Sequence, residues 1–260
     1  MTASNAVAGE SRSGPSPGGP RNALIRRLGH FAALSTDEQA LLLHHCAQAR
    51  TYPAQADLVR EGESPDGILV VLEGFACRQQ YRNNGARQIT AYLLPGDLCD
   101  WDPALGGRLD DAVSTLSPCR AARIPREALL REALGPHSGL ERALRMSHLT
   151  DESTLREWVV NIGCRSAVER IAHLFCELHV RLTAVGLAAE TGFDFPLTQN
   201  DLAVTVGLSD VHVNRSLQAL RRERLIALKS RHLTILDWDA LVDLAEFNPA
   251  YLRFGRFPVS

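Results

Sequence analysis

The stretch from Leu197 to Arg222, LTQNDLAVTVGLSDVHVNRSLQALRR, constrains the fold of this chain most, because it predicts two short helices joined at a glycine. Thr198 can cap the first helix, and Asp201 three residues later makes an acidic variant of the capping box. Gly207 can adopt the left-handed backbone that a tight corner requires, and Ser209 can cap the second helix. The stretch therefore predicts a helix-turn-helix.

The apolar positions agree with that motif. Ala203 is small where the two helices would cross, and Val213 is a β-branched anchor in the second helix. If Val213 faces inward, the opposite face of a recognition helix spanning residues 209–223 is turned outward. We predict that four side chains of that face contact DNA bases: Val211, His212, Asn214 and Arg215.

Positive charge is concentrated in and just after this motif. From Asp210 to His232 the chain carries six basic and two acidic residues, a net charge of +4, whereas the whole chain carries −2. A basic face on an otherwise acidic protein is typical of phosphate binding. The predicted phosphate contacts are Thr198, Ser209, Gln218, Arg221, Arg222, Lys229 and Arg231. A helical hairpin with a solvated basic face is the alternative interpretation.

The segment LKSRHLTILD, which follows the second helix, contains two short strand-like runs. Their spacing predicts a β-hairpin wing with Lys229 and Arg231 at its tip. Such a wing lies beside the groove, where basic side chains add affinity without reading the sequence. The motif as a whole is expected to be a winged helix-turn-helix.

Composition limits the class of the rest of the chain. The 260 residues are 45% hydrophobic and 22% charged, which is enough for two domains with separate cores. Because no apolar run reaches the length of a membrane span and no signal pattern opens the chain, we expect a cytoplasmic protein without a membrane partner. The six cysteines are scattered, which argues against a disulfide framework or a zinc knuckle.

The sequence pattern of the N-terminal half changes twice. Residues 1–21 are rich in Gly, Pro and Ser and are expected to be disordered. Helical spacing from Asn22 to Leu34, and a capping box at Ser35 that opens a helix from Thr36 to Ala49, predict two helices. From Thr51 to about Ile124, short apolar runs alternate with turn residues, which predicts a small antiparallel β-roll or barrel.

Three short motifs punctuate the β segment: REGE at Arg60 to Glu63, LEG at Leu72 to Gly74 and PGD at Pro95 to Asp97. With a long helix and a winged helix-turn-helix after them, they resemble the Crp/Fnr family of bacterial transcription regulators, roughly over residues 22 to 240. The resemblance implies an α+β fold with an N-terminal antiparallel β-roll (a cupin-like jelly roll), a long dimerisation helix and a C-terminal winged helix-turn-helix.

The domains that follow from these patterns are a disordered tail at 1–21, a sensor roll with flanking helices at 22–136, a dimerisation helix at 137–164, a DNA-binding domain at 165–240 and a C-terminal extension at 241–260. The resemblance implies a homodimer that senses a signal in the roll, binds a pseudo-palindromic site in double-stranded DNA and contacts RNA polymerase. The C-terminal tail from Asp237 to Ser260, which includes this extension, contains a helix from Trp238 to Phe247 and an aromatic strip that ends in Phe257. We expect it to pack on the DNA-binding domain, with a contact to the roll or to RNA polymerase as the alternative.

Departures from the family pattern bear on the signal. Relatives that bind cyclic AMP place a Gly-Glu pair and an Arg-Ser pair after the PGD turn, where this chain has Asp100-Trp101 and Asp111-Ala112. An acidic residue where a cyclic phosphate needs a cation argues against a cyclic nucleotide. On the long helix, Leu155 and Arg156 stand where those relatives offer hydroxyl groups. For an unidentified effector, the expected polar contacts are Trp101, Arg108 and Arg156.

Other signals and other classes of protein are less well supported. Only Cys46 precedes the roll, so the clustered thiolates of an iron–sulfur centre are missing, and His148 alone does not predict haem. Cys99 and Cys119 could meet as a redox pair or be two core thiols. No histidine lies between Thr51 and Ile124, which argues against a cupin-type metalloenzyme.

We therefore predict no cofactor, no metal and no enzymatic activity, and the effector is left unidentified. The main alternative to a sensor is a DNA-binding protein with a degenerate roll that binds no ligand.

Overall fold

A computed structural model describes residues 22–99, 108–133 and 138–254. The predicted disordered tail at 1–21, the predicted pocket residue Trp101 and the aromatic Phe257 lie outside these ranges. The fold is α+β, as the sequence predicts. The helices are α1 Ala23–Gly29, α2 Thr36–Cys46, α3 Arg126–Ala133, α4 Gly139–Cys164, α5 Ala167–Ala184, α6 Gln199–Val206, α7 Asp210–Arg222 and α8 Trp238–Ala245.

Eleven strands are described. They are β1 Arg50–Tyr52, β2 Asp57–Val59, β3 Gly67–Glu73, β4 Ala76–Tyr81, β5 Arg87–Leu93, β6 Leu98–Cys99, β7 Ala112–Thr115, β8 Cys119–Pro125, β9 Gly192–Asp194, β10 Ile226–Lys229 and β11 His232–Ile235. The first eight form the roll, as two four-stranded antiparallel sheets in the orders β1-β8-β3-β6 and β2-β7-β4-β5. The predicted hairpin turn at Asn83–Gly85 joins β4 and β5, and Gly85 has the positive φ of 82° that such a turn requires.

The two N-terminal helices cover one face of the roll. Ser35 and Glu38 form the predicted capping box of α2. This helix ends at Cys46, three residues before the predicted end at Ala49, because the chain must extend into β1, where Arg50 pairs with Ala121. Leu24 and Leu28 of α1 are fully buried against the roll.

The long helix α4 has two contrasting faces. Its N-terminal half packs Leu140 and Leu144 against the roll, and Trp158 is buried farther along. Outside this packed stripe the helix exposes four apolar side chains, Leu149, Leu155, Val159 and Val160, of which Leu155 also borders the cavity between the helix and the roll. Among the described residues, no helix is both long and apolar enough to cross a membrane.

The C-terminal domain contains α5, the helix pair α6 and α7, and a three-stranded sheet in the order β10-β11-β9. Strands β10 and β11 form the predicted wing, and β9 adds a strand that the sequence analysis missed. The C-terminal extension packs on two partners. Tyr251 donates to Glu177 of α5 at 2.9 Å, while Phe254 stacks on Phe31, just after α1, with 5.7 Å between ring centroids. The extension therefore contacts the DNA-binding domain, as expected, and also a helix that flanks the roll.

Five of the six cysteines are buried, and Cys164 is exposed. Cys99 on β6 and Cys119 on β8 are separated by β3, so about 10 Å of sheet lies between their strands. A disulfide needs Cα atoms within about 7 Å, so the redox-pair hypothesis is wrong for this arrangement. Both are core thiols. Burial raises the pKa of the Cys119 thiol, and it raises the pKa of Cys77 to about 11.

Candidate nucleic-acid interface

Helix α6 begins with a closed capping arrangement. The Asp201 amide donates to the Thr198 hydroxyl at 3.1 Å, and the Asp201 carboxylate accepts from the Thr198 amide at 3.0 Å and from its hydroxyl at 2.7 Å. The predicted acidic capping box is therefore present. It also directs the Thr198 hydroxyl hydrogen towards Asp201, so that a phosphate contact by Thr198 stays a prediction.

The corner between α6 and α7 has the geometry that only glycine adopts without strain. Gly207 has φ 64° and ψ 40°, and the amides of Gly207 and Leu208 both donate to the Ala203 carbonyl. Arg170 of α5 donates to the Val206 carbonyl at 3.1 Å and so supports the corner from below. A Cβ atom at Gly207 would meet Ile162 at 3.6 Å, an ordinary contact, so the backbone conformation alone requires glycine.

A Gly207→Ala variant should therefore lose about 1–2 kcal/mol of unfolding free energy, the cost of a left-handed conformation for a residue with a Cβ atom. Urea denaturation followed by circular dichroism measures this loss. Gly29→Ala is the matched control, because Gly29 ends α1 without a positive φ and has open space around it. Equal stability of the two variants would show that the corner is not strained.

Helix α7 separates into a buried and an exposed face. Val213, Leu217 and Leu220 are almost completely buried. On the other side Val211, His212 and Arg215 are exposed and Asn214 is half-buried, so the structure brings the four predicted base contacts onto one end of one helix. These exposed side chains form a row along one helix, and the size and polarity of that row suit the major groove of DNA.

Hydrogen bonds within α7 orient part of this row. The Ser209 hydroxyl lies 2.8 Å from Nδ1 of His212, which leaves Nε2 of the ring pointing elsewhere. Gln218 donates to the Asn214 side-chain oxygen at 2.8 Å. Gln218, a predicted phosphate contact, is thus placed to orient Asn214. Sequence spacing of four residues on a helix could have indicated this pair.

The remaining predicted phosphate contacts lie at the end of α7 and on the wing. Arg221 and Arg222 are exposed, and Arg222 pairs with Glu223 at 3.3 Å on the open surface. Lys229 is exposed at the end of β10. Arg231 follows a tight turn with positive φ and lines a cleft shared with Glu73 of the roll. Arg231 therefore lies at the edge of the wing that adjoins the roll.

A cavity of about 570 Å³ lies between the roll and α4. Of the predicted pocket residues, Arg108 lines it. Arg156 does not, because its guanidinium donates to Glu152 and Ser153 on its own helix. Asp111, in the position that argued against a cyclic phosphate, accepts two hydrogen bonds of 3.1 Å from Arg78.

The walls of this cavity also include residues that the sequence analysis did not identify. Asp97, Asp151, Thr154, Trp158 and Arg181 all line it. The Thr154 hydroxyl donates to the Thr150 carbonyl at 2.8 Å. Arg181 comes from α5, so the winged-helix domain contributes directly to the wall. Within the described residues, no group of three or more His, Cys, Asp or Glu side chains could hold a metal ion.

Comparisons with known proteins agree with this geometry. The family described as Crp-like helix-turn-helix domain matches residues 169–244, and the cyclic nucleotide-binding domain family matches residues 49–133. The transcriptional activator protein FnrL of Cereibacter sphaeroides is 31% identical over 213 residues, which covers 80% of this chain and 84% of that protein. The nitrogen fixation regulation protein FixK of Azorhizobium caulinodans is 26% identical over 191 residues, 73% of this chain and 76% of its own length.

Solved structures show the same fold. FixK2 from Bradyrhizobium japonicum superimposes with a TM-score of 0.67 at 20% identity, covering 76% of this chain and 96% of that one. TTHB099 from Thermus thermophilus, described as a transcriptional regulator of the CRP family, superimposes with a TM-score of 0.59 at 18% identity over 76% and 96% of the two chains. The order of roll, long helix and winged helix-turn-helix is therefore shared with regulators of known structure.

Proposed function

The chain belongs to the Crp/Fnr family of DNA-binding transcription regulators, and we propose that it acts as a homodimer on a pseudo-palindromic DNA site with half-sites about one helical turn apart. Regulators of this family bind DNA and function as dimers. The observation that carries the proposal is the division of α7, whose apolar face is buried while its N-terminal polar face is exposed. We assign no catalytic step to the chain.

The exposed apolar face of α4 supports a second copy of this chain as the partner. Four large apolar side chains on one helix are exposed to solvent in the single chain. A helix that pairs with its own copy hides such a stripe, and polar side chains in the seam, such as Glu152, fix the register at some cost in stability. RNA polymerase is proposed as a further partner because several relatives are named as activators.

Roles for the exposed side chains of α7 follow from their chemistry. Arg215 is suited to two hydrogen bonds with O6 and N7 of guanine, and Asn214 can pair with adenine. Val211 offers only an apolar contact, for example to a thymine methyl group. We assign Ser209, Arg221, Arg222, Lys229 and Arg231 to phosphates. Thr198 and Gln218 are weaker candidates, because their hydrogen bonds to Asp201 and Asn214 compete with that role.

Substitution of Arg215 and Lys229 should separate base reading from phosphate binding. Arg215→Ala is expected to weaken DNA binding by about 1–3 kcal/mol per half-site and to relax the preference at one base pair. Lys229→Ala should weaken binding to all sequences alike and reduce the salt slope by about one per subunit. Binding selections on randomised half-sites, followed by titrations at several salt concentrations, measure both effects.

These experiments also test the proposed function itself. A wild-type protein that selects no consensus from randomised duplexes would refute sequence-specific binding. An Arg215→Ala protein that keeps its affinity and its consensus would remove Arg215 from the reading surface.

For the roll, we propose that the cavity beside α4 receives a small effector other than a cyclic nucleotide. The cavity is large enough for a small molecule, and Arg108 in its wall offers a charged contact. Both features support a roll that senses a ligand and argue against a degenerate roll that binds none. The Arg78–Asp111 pair supports the exclusion of cyclic nucleotides, because a cyclic phosphate beside this pair would meet the Asp111 carboxylate.

A further inference from the structure

A buried chain of ion pairs crosses from the roll to the winged-helix domain. Asp97 of the PGD turn accepts from Arg27 at 2.8 Å and from Arg181 at 2.6 Å, and Arg181 also donates to Glu177 at 2.9 Å. At most 7% of any of these four side chains is exposed. Asp97 lies in the segment matched by the nucleotide-binding family, and Arg181 in the segment matched by the helix-turn-helix family. The pair therefore joins two domains.

A second contact joins β5 of the roll to α6, the first helix of the motif. Arg87 pairs with Asp201 at 3.2 Å, and Gln88 donates to the Thr205 carbonyl at 3.2 Å. Tyr92 and Thr205 are 2.6 Å apart through their hydroxyl oxygens. Because the Thr205 hydroxyl donates to the Asp201 carbonyl, Tyr92 is the donor to Thr205. The roll thus holds the helix-turn-helix itself.

These two contacts restrain the direction of the recognition helix. They attach the roll to α5 and to α6, and α7 packs on both of those helices. Rotation of the winged-helix domain about one contact would break the other. In a symmetric dimer, a fixed angle in each subunit also fixes the distance and the rotation between the two recognition helices.

We infer that the Asp97–Arg181 and Arg87–Asp201 pairs form an interdomain clamp that sets the half-site spacing accepted by the dimer. The clamp makes the winged helix a rigid extension of the roll, so that only one spacing satisfies both subunits. This inference rests on the proposed function as a homodimer on two half-sites.

Two substitutions open the clamp while leaving each buried carboxylate a partner. In Arg181→Gln, Asp97 keeps Arg27, and Glu177 keeps the donors of Trp158 and Tyr251, each at 2.9 Å. In Arg87→Gln, Asp201 keeps its bonds in the capping box of α6. The double variant Arg87→Gln/Arg181→Gln is therefore expected to fold.

Arg120→Gln is the control. Arg120 of β8 pairs with Glu73 of β3 at 2.8 Å within the roll, and neither side chain lines the cavity. The substitution removes an ion pair that does not cross between domains.

The experiment measures affinity by fluorescence anisotropy on a selected palindrome, on the same duplex with one, two or five base pairs inserted between half-sites, and on a single half-site. Each inserted base pair rotates one half-site by about 35°. The wild-type protein should lose about 100-fold on inserted duplexes, because simultaneous binding of two sites contributes about 10²- to 10⁴-fold. The double variant should bind the original palindrome about tenfold more weakly but lose less than about threefold on insertion of one base pair, because a flexible link accepts several spacings.

The single half-site should be bound equally by all proteins, and Arg120→Gln should lose as much affinity on the inserted duplexes as the wild-type protein does. A double variant that is folded by circular dichroism and keeps the wild-type profile would overturn the clamp. Arg87 lies at the rim of the interface, and Arg87→Gln alone should also reduce the loss of affinity that an inserted base pair causes. A loss as large as that of the wild-type protein would count against the clamp. A wild-type protein that binds palindrome and half-site equally would refute the proposed dimeric function, and this inference with it.

Discussion

Asp97→Asn is expected to lower the free energy of unfolding by about 3 kcal/mol, one of the two largest effects anticipated for a single site or surface of this protein. The carboxylate lies between the guanidinium groups of Arg27 and Arg181, and all three side chains are buried. Removing one charge from a buried ion pair commonly costs about 3–5 kcal/mol. The low end applies because Arg27 keeps Asp151 and Arg181 keeps Glu177.

Urea denaturation of the wild-type protein and the variant measures this effect as a shift of the midpoint at constant slope. Asp66→Asn is the control. Asp66 is 92% exposed and lies 3.8 Å from Arg123, so its substitution should change stability by no more than about 0.5 kcal/mol. If both variants unfold at the wild-type midpoint, the Asp97 network contributes nothing to stability.

The helix-turn-helix could be predicted from the sequence because its determinants are local. A cap at Thr198, a glycine at the corner and a cap at Ser209 act within a few residues of their own helices. The hairpin at Gly85 was predictable for the same reason. Each of these signals depends on backbone geometry that one or two residue types satisfy far better than the rest.

Strand β9 could not be predicted, because three residues are too few for an alternating pattern. Gly192 of this strand lies so close to β11 that a Cβ atom would be 2.4 Å from the Leu233 carbonyl oxygen. The requirement for glycine therefore comes from a strand about forty residues away. Such pairing is a property of the tertiary fold.

The cavity and the clamp depend on contacts between distant segments. Arg181 and Glu177 lie in α5, a helix that packs in the core, and nothing in that helix alone indicates that Asp97 neutralises Arg181. For Arg156 the sequence did contain a signal. Asp151, Thr154 and Trp158 share one face of α4 at helical spacing, and Arg156 lies well off that face.

The other large effect is expected at the exposed face of α4. Leu149→Glu/Val159→Glu places two charges on side chains that are 41% and 66% exposed in the single chain, so the fold of each subunit should be retained. In a dimer the same positions become buried, and like charges then face each other across the two-fold axis. We expect light scattering to report a monomer at micromolar concentration. Affinity for the palindrome should fall by about 10²- to 10⁴-fold, the contribution of linking two half-sites.

The single half-site distinguishes loss of the dimer from damage to the reading surface, because a folded monomer should bind it as tightly as the wild-type subunit does. Leu43→Glu provides the matched control: Leu43 is a similarly exposed leucine on α2, away from the α4 face, and its substitution should leave both the mass and the DNA affinity unchanged. If the α4 variant remains a dimer, the subunits must meet through another surface. The exposed leucine and valine side chains of α4 would then require a different partner, since an apolar stripe of this kind is rarely left in water.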